Sequence, residues 1–259
     1  MKNPAYQPVQ FLKFSDGSVE EVVSGVIAEK NVQLSVNGAA WLDLLCTPIN
    51  LDALALGFLI NEGIIQSRSE VSALHICDDE SMIDVWLTHP AEKPQVWRRT
   101  SGCSGGLTRS EVISNPMILC QNYCITSEIV FDLIKQMIAG QQLYQQVHGV
   151  HCSALADGVN TLAVAEDVGR HNTLDKLAGM MSTQNLYPEN RILLSTGRIS
   201  SEMLQKSSRM GASMIVSLTS PTSLSIQLAE EHGITLIGYA KRNRFNIYTH
   251  PERINLDAP

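Results

Sequence analysis

Short apolar runs fill the first hundred residues: VQFLKF (9–14), VEEVVSGVIA (19–28), VQLSVNG (32–38), AAWLDLLCT (39–47), VSALHIC (71–77) and MIDVWLT (82–88). Apolar and polar residues alternate with period two inside these runs, and Asp16-Gly17 and Asn37-Gly38 stand between them as hairpin turns. The pattern predicts a mostly antiparallel sheet. One helix interrupts it in TPINLDALALGFLINEG, where Asn50 is placed to cap the first turn and Gly63 to end the helix. From about residue 90 to 125 the periodicity fails, amid Pro90, Pro94, Arg98, Arg99, Arg109 and the glycine-rich TSGCSGG (100–106).

The second half has a different rhythm. Ser127 opens a helical pattern through SEIVFDLIKQMIAGQQLY, with Ile129, Val130, Leu133, Ile134, Met137 and Ile138 on one face. A hairpin follows across Asp157-Gly158, and then strand and helix alternate: ILLS (192–195), a helix from about Ser200, MIVSL (214–218), a helix from Pro221, and ITLIGYA (234–240). Strand-helix-strand units of this length require parallel pairing with right-handed crossovers. The reading is therefore an α/β protein in two parts: residues 1–97 as a smaller, mostly antiparallel α+β domain, 98–125 as a connecting segment with a mobile loop around Cys103, and 126–259 as an α/β domain.

Parallel strands bring their carboxyl ends to one edge, where helix N-termini offer free N–H groups to anions. That rule selects TGRISSEM (196–203), TSPTSL (219–224) and Lys241 to Arg244, together with EDVGRHNTLDK (166–176), in which Asn172 is a plausible helix cap. Arg170, His171, Arg198, Lys241, Arg242 and Arg244 on one edge of a chain whose formal charge is −7 form a candidate phosphate or pyrophosphate site. The same charge argues against a nucleic-acid binder. The N-terminus has no continuous apolar segment, and the longest apolar run, ALALGFLI, is too short to span a bilayer, so a cytoplasmic, membrane-free protein is expected.

Six cysteines, at 46, 77, 103, 120, 124 and 152, lack the density of a disulfide framework. Cys46, Cys77 and Cys152 lie in strand patterns and read as buried, and Cys120, Cys124, His148, His151 and Cys152 do not have the spacing of a zinc site, so no bound zinc is expected. Cys103 differs. Glycines around it remove any packing role, and Arg98, Arg99 and Arg109 are near enough in sequence to favour a thiolate, a combination suited to transfer between two sites.

Several long motifs carry a resemblance: CTPINLDALALGFLINEGII, SGCSGG, EDVGRHNTLDK, STGRISSEMLQK, SPTSLSIQLAE and GYAKRNRFNIYT. Over nearly its whole length the sequence resembles the sulfur carrier proteins required for formate dehydrogenase activity, the FdhD family. The resemblance implies a cytidine-deaminase-like second domain, a homodimer, and a sulfurtransferase role. An L-cysteine desulfurase would supply persulfide sulfur to Cys103, and the acceptor would be the bis(molybdopterin guanine dinucleotide) molybdenum cofactor destined for formate dehydrogenase. It further implies that Tyr239, Ala240, Lys241, Arg242, Asn243 and Arg244 contact that cofactor; the strand-end geometry then places Arg198, Arg170, His171 and Asn172 along the same cleft. Many family members carry Cys-x-x-Cys in the loop, where this chain has Gly106 at the second position; persulfide carriage survives this change and a loop disulfide does not. His151 is followed by Cys152 and Ser153 in place of the His-x-Glu of zinc deaminases, and no Pro-Cys-x-x-Cys is present, which argues against deaminase chemistry. A molybdenum-cofactor chaperone without sulfur transfer is the alternative reading.

Overall fold

The structure, a computed structural model, describes residues 5–94, 97–99, 107–109 and 123–256. Strands β1 (Tyr6–Ser15) and β2 (Ser18–Ile27) pair across Asp16 and Gly17, and β3 (Lys30–Val36) and β4 (Ala39–Cys46) across Asn37 and Gly38. Both turns have positive φ at their two central residues, the geometry that matches strand twist and selects Asp-Gly and Asn-Gly. Helix α1 (Leu51–Asn61) follows, then β5 (Val71–Ile76) and β6 (Met82–Leu87). A four-stranded sheet of order β4-β3-β6-β5 results, antiparallel except for the β3–β6 pair. Leu51, Leu54, Phe58 and Leu59 of α1 pack on Val32, Leu34, Ile83 and Val85 of this sheet.

Two expectations about this half are corrected. The runs at 9–14 and 19–28 do not join the sheet but form a separate two-stranded ribbon, with Leu12, Phe14, Val19 and Val23 exposed. Asn50 occupies the N-cap position of α1 in a left-handed conformation and its side chain caps nothing. Gly63, at φ +69°, does end the helix.

Within the stretch that showed no period, β7 (Trp97–Arg99) and β8 (Leu107–Arg109) pair antiparallel, Arg99 opposite Leu107. The short strand β9 (Ile125–Thr126) leads into α2 (Ser127–Ala139), capped by the Thr126 hydroxyl. The helical pattern breaks at Gly140 and resumes as α3 (Gln142–Val147), and within α2 Ile138 lies at the margin of the buried stripe of Val130, Leu133, Ile134 and Met137, 46% exposed and not in the core.

The remaining elements are β10 (His151–Ala156), β11 (Thr161–Asp167), α4 (Arg170–Gln184), β12 (Ile192–Ser195), α5 (Ser201–Arg209), β13 (Met214–Ser217), α6 (Ser223–Glu231), β14 (Thr235–Lys241), β15 (Arg244–Thr249) and β16 (Ile254–Asn255), the last paired with β9. They build a six-stranded mixed sheet, β11-β10-β12-β13-β14-β15, in which β12, β13 and β14 are parallel. Alternation along β12 serves both faces. Leu193 joins Leu174, Leu177, Leu204 and Leu228 from α4, α5 and α6, while Ile192 and Leu194 join Val130, Leu133 and Met137 from α2. Helix α6 begins at Ser223, two residues later than expected, because Thr222 and Ser225 form its capping box.

Helix α4 lies between this sheet and α1, and eleven of its fifteen residues are buried. Gly57 and Gly179 permit the contact: a Cβ on Gly57 would fall on the carbonyl of Asp175, and one on Gly179 on the carbonyl of Ala53. With two sides covered, α4 buries polar residues as well as apolar ones, so its sequence carries no clean amphipathic stripe.

Candidate functional site

The parallel strands end at Ser195, Ser217 and Lys241 on one edge. Because β10 runs antiparallel to β12, with Ser153 opposite Ser195, its first residue, His151, comes to the same edge. His151 in turn faces Asp167, the last residue of β11, three residues before α4 begins at Arg170. The N-termini of α4, α5 and α6 therefore converge here, as the strand-end rule requires.

Asp167 sets the entry to α4. Its fully buried carboxylate accepts from Thr47 N (3.1 Å), Gly169 N (2.7 Å) and Asn172 Nδ2 (2.9 Å), and pairs with Lys176 Nζ at 2.6 Å. Lys176 Nζ also donates to the carbonyls of Thr47 and Glu166. The arrangement satisfies a buried charge pair at every polar atom, the condition under which such a pair is tolerated. It also corrects one expectation: Asn172 is no cap, since Gly169 holds that position and the Asn172 amide is engaged with Asp167 and the Leu45 carbonyl.

A second rigid turn follows β12. Gly197 N donates to Ser195 Oγ, Ser217 Oγ donates to the Gly197 carbonyl, and Cys152 and Thr196 exchange bonds across the β10–β12 end. A Cβ on Gly197 would stand 3.1 Å from Arg170 Cβ and 3.5 Å from His151 Nδ1, so the bare backbone is what lets α4 and β10 close on this turn. Arg198 is exposed, His151 half-buried, and Arg170 and His171 buried beneath them at 7% and 5%. Burial, with Lys206, Arg170 and His151 nearby, brings the His171 pKa down to about 3. Burial, then Arg170 and Arg198, lower that of His151 against the opposing pull of Asp167.

The third part of the edge is the β14–β15 turn. Lys241 pairs with Arg244 around Arg242 and Asn243, both at positive φ, and all four are exposed. Tyr239, at φ 54° where the register shifts, is 48% exposed and its N–H donates to the Thr219 carbonyl; Ala240 is buried. This turn lies two strands from Arg198, about 10 Å at ordinary strand spacing, so the basic residues form two groups along one edge. The sequence reading missed His151 as a member of the first group and Asp167 as its organiser. His151 carried one signal, its place as the first residue of a strand starting at this edge.

Cys103 and Cys120 lie outside the described residues; the β7–β8 pair brackets Cys103 in the chain. Of the other cysteines, Cys46 and Cys152 are buried, as expected, and burial pushes both thiols up to about 12. Cys77 is only partly buried, because β5 ends at Ile76 and leaves it in the following turn, and Cys124 is exposed. Among the described residues no three potential metal ligands cluster, and no helix is long and apolar enough to cross a membrane.

Residues 27–255 match the model of the FdhD/NarQ family. The chain belongs to that family. It is 33% identical over 248 residues to a sulfur carrier protein of Bacillus subtilis (strain 168), covering 93% of this chain and 95% of the relative. It is 31% identical over 255 residues to one of Staphylococcus aureus (strain MRSA252), covering 96% and 95%. A crystal structure of a formate dehydrogenase accessory protein from Desulfotalea psychrophila superposes with a TM-score of 0.83 at 27% identity, covering 97% of this chain and all of that one. The sulfur-carrier role read from the sequence agrees with these FdhD/NarQ relatives, and the shared fold is the mixed α/β architecture described above.

Proposed function

We propose that this chain is a sulfurtransferase-type carrier that accepts sulfane sulfur on Cys103 and delivers it to the bis(molybdopterin guanine dinucleotide) molybdenum cofactor used by formate dehydrogenase. The family membership carries the reading, and the lone glycine-flanked cysteine at 103 gives it a residue. In the loading step the Cys103 thiolate attacks the outer sulfur of a desulfurase persulfide. One S–S bond forms, one breaks, and the desulfurase cysteine leaves as thiolate, with no net redox change. Delivery breaks the new S–S bond with two electrons, which a thiol reductant or a reduced acceptor would supply, and returns Cys103 as thiolate and the transferred atom as sulfide.

The strand edge supports the acceptor side of this reading. Three helix N-termini and two groups of basic side chains suit a substrate with phosphates, with Lys241, Arg242 and Arg244 on the exposed turn and Arg198 and Arg170 beside α4. The proposal extends to a cytoplasmic homodimer, to which the exposed apolar ribbon β1–β2 lends surface, to the two-part division of the chain, and to a cytidine-deaminase-like ancestry of the six-stranded unit.

Intact-mass spectrometry after incubation with an L-cysteine desulfurase and cysteine tests the carrier step. Wild type is expected to gain about one sulfur mass and Cys103→Ser none. The same gain in the variant overturns the assignment of Cys103. A Cys103→Ser protein that still supports formate dehydrogenase activity favours the chaperone without sulfur transfer.

A further inference from the structure

We propose that His151, with Arg170 and Arg198, forms a phosphate-binding subsite of its own at the N-terminus of α4, separate from the β14–β15 turn, and that this subsite takes up a proton when it fills. This deepens the reading of the strand edge as a nucleotide-cofactor site and rests on it for the identity of the natural ligand.

The geometry comes from three elements meeting at one glycine. Arg170 Cβ and Cδ and His151 Nδ1 all lie within 3.5 Å of the place a Gly197 Cβ would take, and Arg198 is the next residue. The Gly197 turn is held on both sides by Ser195 and Ser217, and the α4 entry by the four donors on Asp167, so the backbone that carries the three side chains is set before any ligand arrives. Beneath it, His171 Nε2 is buried with no hydrogen-bond partner among the described residues, close enough to His151 and Arg170 to feel their charges. His151 is three strands from β14, about 14 Å, so it lies beyond direct reach of the β14–β15 turn and belongs to a separate place along the edge.

Four charged or titratable groups face His151: Arg170 and His171 from α4, Arg198 from the turn after β12, and Asp167 from β11. Burial and the two guanidinium groups lower the His151 pKa and keep its imidazole neutral at pH 7, and Asp167 opposes them with a carboxylate already engaged by four donors. A phosphate dianion reverses the balance. Its charge sits between the arginines and favours the imidazolium, so His151 Nδ1 or Nε2 gains a proton from solvent and both ring nitrogens become donors. The subsite thus presents a third cation only when an anion is present, which favours a doubly charged phosphate or a pyrophosphate over a carboxylate or chloride.

The test follows the His151 imidazole by long-range proton–nitrogen NMR from about pH 4 to 8, with and without inorganic pyrophosphate, the resonance being assigned by its loss in His151→Gln. Saturating pyrophosphate should raise the His151 midpoint by about one pH unit, equivalent to about tenfold tighter binding to the protonated form. Arg198→Gln should shrink that rise, and Arg242→Ala should preserve it. An unmoved midpoint in wild type, or a rise lost in Arg242→Ala and kept in Arg198→Gln, overturns the subsite. Guanosine diphosphate provides the second arm. If pyrophosphate moves His151 and the nucleotide does not bind, the subsite stands and the nucleotide reading falls; if the nucleotide binds and His151 stays unmoved, the subsite falls and the nucleotide reading stands.

Discussion

His171 is a base placed where a proton does not belong. Its pKa falls from 6.5 to about 3 on folding, chiefly through burial, so between those values the unfolded chain binds more protons than the folded one. The stabilisation from a neutral His171 is complete above about pH 6.5 and is lost as the pH falls towards 3, at about 1.4 kcal/mol per pH unit within that window. His151 and His232, both lowered by burial first, act in the same direction. Urea denaturation midpoints should therefore decline from pH 6.5 downward, and His171→Gln should give a flatter profile than wild type. An equally steep decline in the variant would assign the acid sensitivity elsewhere. None of this is visible in EDVGRHNTLDK, where Arg170 and His171 read as a pair of accessible cations; in the fold Arg170 packs against the Gly197 turn, and His171 lies near Lys206 and His151.

At the scale of elements, the contact between α1 and α4 decides how the four-stranded and six-stranded sheets are joined. Asn61 donates to Asp175, Lys206 pairs with both Asp175 and Glu62, and Arg209 reaches the Asn61 carbonyl, so α1, α4 and α5 share one buried ionic cluster. Gly57→Ala should cost about 3 kcal/mol or more, since its Cβ meets backbone and not a movable side chain. Gly17→Ala, at φ +79° with open space around it, should cost only about 1 kcal/mol. Chemical denaturation of the two variants checks the ranking, and a Gly57→Ala protein as stable as Gly17→Ala would mean the helices are not in backbone contact. The sequence showed α1 and its terminating Gly63, and the Asp-Gly and Asn-Gly turns, because those depend on a few neighbouring residues. It misassigned Asn172 as a cap because an asparagine near a helix start serves equally well as a donor to distant backbone, as Asn172 does to Leu45, and it gave Asn50, which sits at the N-cap in a left-handed conformation, a side-chain bond that is not made.

Across the whole molecule the cysteines divide by depth. Cys46 sits in the core under the four-stranded sheet and Cys152 in the core beneath the six-stranded one, both with thiols pushed up to about 12 by burial, whereas Cys124 is exposed. Brief alkylation of the native protein near pH 8, read by peptide mass spectrometry, should therefore label Cys124 and leave Cys46 and Cys152 unmodified until denaturant is added. Labelling of Cys152 at the rate of Cys124 would show that its core opens. What the sequence determined alone is what local chemistry can specify: alternating runs, turn pairs, strand-helix alternation, a thiol set among glycines, and the long motifs of its family. The tertiary structure decided which polar groups meet. Thr47 N binds a carboxylate 120 residues away, and His151 reaches Arg170 and Gly197 through strand register. The physical reason is that a buried charge must be satisfied by whatever donors the packed elements bring to it, and their distance along the chain leaves no periodic trace.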